Sequence, residues 1–151
     1  MELSGVSKDV FKRFQVWLYT RRLDLVNTSC YLMARLWVFA DQHQIPLLQN
    51  YLMDGIFEKR VKHKTFSVGM VSIAYDNTPV RSPLRRAVIE LASTMNLQDP
   101  TFPVLDPVHW SVESLTDLVR AVDSRPKGLG QYRLRVRDKC FFHVHGKDER
   151  C

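Results

Sequence analysis

The end of the chain holds the residues best suited to chemistry: Cys140, His143, His145 and Cys151, in the pattern C-x2-H-x-H-x5-C. Two thiolates and two neutral imidazoles are the donor set of a structural zinc ion, which prefers four N/S ligands in a tetrahedron. The Cys140–His143 gap is of the length that metal knuckles use. His143 and His145 would share one side of a short strand, because alternate residues do. A sphere filled by all four side chains is closed, and closed zinc sites are structural. Two other readings fit the same residues. In one, Phe141, Phe142 and Val144 pack a strand on the rest of the protein and the histidines are incidental. In the other, Cys140 and Cys151 form a disulfide, which a reducing compartment disfavours.

A Cys/His nucleophile–base pair is formally present in the tail. However, a thiol enzyme also needs an orienting group, an oxyanion hole and a pocket. The sequence carries no GxGxxG, P-loop, G-x-S-x-G or HExxH motif, and the reading is non-enzymatic. With 151 residues, 45% of them hydrophobic, the chain suits one domain with a real core. No apolar run approaches the roughly 20 residues of a membrane helix, and the start "MELSGVSKDVF" lacks a secretion signal. Three cysteines are no disulfide framework. These features predict an intracellular protein, cytoplasmic or nuclear.

The elements that must position the tail are helical. "SKDVFKRFQVWLYT" places Val10, Phe11, Phe14, Trp17 and Leu18 at helical spacing, with Ser7 as a candidate cap and Lys12, Arg13 and Gln15 outward. After an extended "RLDLV", the segment "CYLMARLWVFADQHQ" is apolar nearly all round, as a buried helix is. "IPLLQNYLMDGIFEKR" opens with Pro46 and buries Leu48, Leu52, Ile56 and Phe57. A basic hinge, "KRVKHK", leads to a short helix in "SVGMVSIAYDN". "SPLRRAVIELASTMN" then opens with a Ser82 cap and buries Leu84, Val88 and Leu91. "LQDPTFPVLDP" is a proline-broken connector. "SVESLTDLVRAV" is a last helix with Val112, Leu115, Leu118, Val119 and Val122 inward. The basic "SRPKGLGQYRLRVRDK" reads as an arm or weak strand.

Three of these stretches, "VFKRFQVWLYTRRLDL", "LWVFADQHQIPLLQNYLMDGI" and "AYDNTPVRSPLRRAVIEL", together resemble the C-terminal half of a fungal-type BTB/POZ domain and the helices that follow it. Trp17, Leu18, Tyr19, Thr20, Ala40, Asp41, Ile45, Pro46, Leu48, Gln49 and Asn50 carry the first part of the likeness. Tyr75, Asn77, Thr78, Pro79, Ser82, Pro83, Leu84, Arg85 and Arg86 carry the second. The tail resembles the Cys-x-x-His-x-His ending of such proteins. The resemblance implies protein–protein interaction, in some members as an adaptor for a cullin ubiquitin ligase. Only about eight residues precede the W-L-Y-T helix, so the strands and dimer-forming elements that open a full BTB fold are not in this sequence. That argues against the usual dimer face and against cullin binding. It also leaves open a fragment or a truncated product without function.

The expected fold is mainly α, a helical bundle of five or six helices resembling the C-terminal half of a BTB/POZ domain, with a few short strands. Residues 1–62 form the truncated BTB/POZ-like region, 63–123 the following helices and 124–151 the basic Cys/His tail. The aromatic run Phe11, Phe14, Trp17 and Tyr19 reads as a helix face in a core; without its sheet the same run would expose apolar surface, which marks a partner or self-association. The function read from this is protein binding or homo-oligomerisation through apolar helix faces. The rival is nucleic-acid binding by the basic end. The net charge is +6, and from Asp123 onward eight Lys/Arg face four Asp/Glu. Arg133, Arg135, Arg137 and Lys139 would line one side of a strand. Arg85 and Arg86 are expected to pair with local carboxylates or the preceding loop rather than with an anion.

Overall fold

The computed structural model describes residues 7–64, 66–95, 107–125 and 139–146. Six helices follow in order: α1 (Lys8–Thr20), α2 (Cys30–Gln42), α3 (Pro46–His63), α4 (Gly69–Asn77), α5 (Pro83–Ser93) and α6 (Val112–Asp123), with a 3-10 turn at Lys139–Phe141. The helical expectation is met in every segment. The short strands are not seen: among the described residues there is no strand.

α2 is the centre because its sequence is apolar nearly all round. Met33, Ala34, Leu36, Trp37, Val38, Phe39 and Ala40 are buried in succession, and α1, α3 and α4 pack around them. Ser29 starts this helix by accepting a hydrogen bond from the Leu32 N–H, satisfying one of its orphan donors. α3 contributes Leu48, Leu52, Met53 and Ile56 to the same core, and α5 contributes Leu84, Val88 and Leu91. α5 packs on α3 and α4, and α6 packs on α5.

The "RLDLV" stretch forms neither helix nor strand and is tied down on α3. Lys59 on α3 donates to the carbonyls of Leu25, Val26 and Thr28 at 3.3, 2.8 and 2.7 Å. Tyr51 accepts from the Leu23 N–H at 3.1 Å. Arg13, expected outward, turns in to donate to Thr28 Oγ1 at 2.7 Å. Leu25 lies so close to α3 that a Cβ on Gly55 would stand 2.7 Å from its Cδ1. "KRVKHK" is likewise no hinge. Its residues through His63 are the last turns of α3, Lys64 is the C-cap in a left-handed conformation (φ 51°), and Arg60 reaches Thr94 beyond α5 at 3.0 Å. Ser7 sits at the N-cap of α1 but its side chain makes no capping bond, whereas Ser82 caps α5 through the Leu84 N–H.

α6 is rotated from the expected orientation. Ser114 and Leu118 are buried, while Val112, Val119 and Val122 are 83%, 67% and 44% exposed. Polar tethers set that rotation. Arg85 donates to Glu113 at 2.8 Å and to the carbonyls of Tyr75 and Thr78. Tyr75 donates to Asp117 at 2.7 Å, and Arg125 reaches Glu90 at 3.2 Å. Glu113, Asp117 and Arg125 therefore face α4 and α5, and the valine stripe is carried round to solvent. Arg85 does what was expected of it: it pairs with a carboxylate and the preceding loop.

Candidate functional site

The tail docks on α3. Asn50, Asp54 and Phe57 stand at i, i+4 and i+7, hence on one face of that helix. Each takes a different part of the tail. The Asn50 side-chain amide donates to the Val144 carbonyl at 2.9 Å, and its oxygen accepts from the Val144 N–H at 2.7 Å. His143 Nε2 lies 2.9 Å from Asp54 Oδ1. Phe142, 6% exposed, stacks on Phe57 with ring centroids 4.7 Å apart. On the other side, the Arg86 guanidinium covers the Phe141 ring at 4.7 Å. The site thus combines a sequence-independent clamp on main chain with two side-chain contacts, the division of labour by which proteins read extended peptides.

The tail residues proposed as metal ligands are placed as follows. Cys140 is disulfide-bonded, Cys30 is a free buried thiol, and Cys151 lies outside the described residues. The His143 and His145 rings are neighbours, with centroids 5.9 Å apart, but neither residue lies in a strand. Among the described residues no three His, Cys, Asp or Glu side chains come together as a metal site. A sulfur held in a disulfide is no thiolate ligand, so the oxidised tail and a zinc-bound tail are alternative states of Cys140. Phe141, Phe142 and Val144 do pack on the helices.

The aromatic run of α1 divides between core and surface. Trp17 is 4% exposed and Phe14 is packed on Phe39, ring centroids 4.9 Å apart. Phe11 is partly buried, and Tyr19 is 84% exposed. Leu18 and Val16 add 44% and 46% exposed apolar side chains beside it. The basic series Arg133, Arg135, Arg137 lies outside the described residues, as does most of the proline-broken connector.

Burial perturbs three further groups, lowering the Arg60 guanidinium and raising two others. The Tyr75 hydroxyl is held well above its ordinary value, first by burial and then by its bond to Asp117. Burial also raises the Cys30 thiol, which keeps it protonated and inert at neutral pH. A cavity of about 130 Å³ opens between the start of α1, α2 and α4, lined by Val10, Arg35, Phe39 and Asn77 among others. Small-molecule sites are typically about 300–1,000 Å³, so this one suits water or a single side chain.

Sequence reasoning missed Asn50, Asp54 and Phe57 as a set. Asn50 alone carried a signal: an asparagine inside a helix competes with its own backbone unless its side chain is engaged elsewhere. Comparison with protein-family models, with curated proteins and with solved structures finds no match. No helix among the described residues is long and apolar enough to cross a membrane.

Proposed function

We propose that the chain is a non-enzymatic protein–protein interaction module of BTB/POZ type, binding partners or itself through apolar helix faces. The observation that carries this reading is the end of α1, where Tyr19 is 84% and Leu18 44% exposed on a helix whose opposite side, through Trp17, is locked into the core. Large amphipathic side chains on a rigid element are the usual anchors of interfaces, because they bury area at small entropic cost. The BTB/POZ assignment rests on the sequence motifs. Of the residues that carry them, Gln49, Asn50, Tyr75, Thr78 and Arg85 are engaged in the tethers of this fold.

The test is site-specific photo-crosslinking in the native cell, with a photoreactive phenylalanine at position 19 and a control at Lys12. The reading expects discrete protein adducts from position 19, absent from position 12 and lost in Leu18→Asp. Nucleic-acid adducts, or equal labelling from both positions, would sink it.

A further inference from the structure

The tail seated on α3 has the character of a bound peptide. Its contacts are local and separable: one main-chain clamp (Asn50), one carboxylate–imidazole contact (Asp54–His143), one ring slot (Phe57–Phe142) and one cation over a ring (Arg86–Phe141). None requires that the segment belong to the same chain. Fourteen residues separate Arg125, the last described residue after α6, from Cys140. At about 3.3 Å per residue that connection spans up to roughly 45 Å, more than the width of a domain this size.

We propose that the α3 face formed by Asn50, Asp54 and Phe57 is a peptide-docking site for the Phe141–Phe142–His143–Val144 segment, and that two copies of the chain associate by exchanging these tails. The occupant is a second copy because its tail, by identity, offers the same two aromatics, imidazole and main-chain amide that the site already holds. An exchange of identical elements adds no strain and closes as a two-fold pair. The resident tail competes at the effective concentration of a tethered ligand, which the length of its connection sets. Exchange is therefore weak in the resting chain and strong wherever the resident tail is displaced. This inference rests on the reading of the chain as a protein-binding module but uses a different surface from Tyr19, so the crosslinking result and the one below can fail independently.

The experiment uses two full-length variants. Phe142→Asp ejects the tail and leaves the α3 face intact; Asn50→Ala removes the clamp and leaves the tail intact. A fluorescent peptide of residues 139–146 carrying Ser at position 140 is the probe. Anisotropy should show the Phe142→Asp chain binding it at least tenfold more tightly than wild type, and the Asn50→Ala chain binding it at least tenfold more weakly than Phe142→Asp. In sedimentation velocity each variant should run as a monomer, and the equimolar mixture should form a 1:1 pair, since one partner supplies the only good tail and the other the only good site. Val144→Pro, which removes the clamped N–H, serves in place of Phe142→Asp if that chain does not fold. Equal peptide affinity for all chains, or a mixture that stays monomeric with both variants folded, would overturn the proposal.

Discussion

Asn50 and Val144 are 94 residues apart in sequence, yet the amide of one side chain satisfies both main-chain groups of the other residue, at 2.9 and 2.7 Å. Removing that side chain orphans a partly buried donor and acceptor, which costs about 1–3 kcal/mol when water cannot replace both bonds. Asn50→Ala should therefore lower the thermal midpoint by several degrees. Asn50→Asp, which keeps the acceptor and loses the donor, should fall between. Circular dichroism melts of the three chains check the order.

The loop between α1 and α2 depends on Lys59 in the same way. Its ammonium group meets the carbonyls of Leu25, Val26 and Thr28, and hydrogen bonds to charged groups contribute roughly 1.5–3 kcal/mol. Lys59→Met keeps the stem and removes the charge. The expected result is faster amide exchange across residues 22–28 with α2 still protected. Unchanged exchange in that loop would show the lysine to be dispensable.

An added Cβ at Gly55 would lie 2.7 Å from Leu25 Cδ1, the far end of a side chain that can turn aside. Alanine is favoured over glycine inside a helix by about 1 kcal/mol, which offsets the cost of moving that methyl group. Gly55→Ala should therefore leave stability within about 1 kcal/mol of wild type, and Leu25→Ala in the same chain should bring out the helical gain. A double-mutant cycle by urea unfolding reads the coupling; strict additivity would mean that the two sites do not meet.

Alkaline conditions should unfold the protein early. The Cys30 thiol and Tyr75 hydroxyl both have folded-state values raised above their ordinary 9.0 and 10.0. Below pH 9 both groups are protonated in folded and unfolded chains alike and favour neither. As pH rises past 9 and then 10, the unfolded chain releases these protons while the folded chain retains them, so stability falls. Cys30→Ala should move the onset of that decline upward by removing the earlier of the two. Tyr75→Phe should flatten it further while loosening α6, because the bond to Asp117 goes with the hydroxyl.

All six helices were legible in the sequence because each has an apolar period or a cap that depends only on near neighbours. Pro46 and Ser82 marked two starts, and the run of α2, apolar nearly all round, marked the core. The rotation of α6 was not legible. Its valines form a regular stripe, and the long-range pairs Arg85–Glu113, Tyr75–Asp117 and Arg125–Glu90 turn that stripe outward. The tethering of "RLDLV" and the residues after it was not legible for the same reason: its partners are Lys59 and Tyr51, some thirty residues later. The tail's chemistry was visible, but its seat was not. Cysteines and histidines announce themselves by type, whereas Asn50, Asp54 and Phe57 become a site only when the tail is laid across them.

The most direct measurement of this account is the hydrogen-exchange rate of the Val144 amide in the full-length protein, read by NMR. The Val144 amide should show protection well above that of an unstructured amide, lost in Asn50→Ala while the amides around Trp37 keep theirs. A Val144 amide that exchanges at the unprotected rate in the wild-type chain would contradict it, since the tail would then not be held on α3 and the docking site would have no occupant.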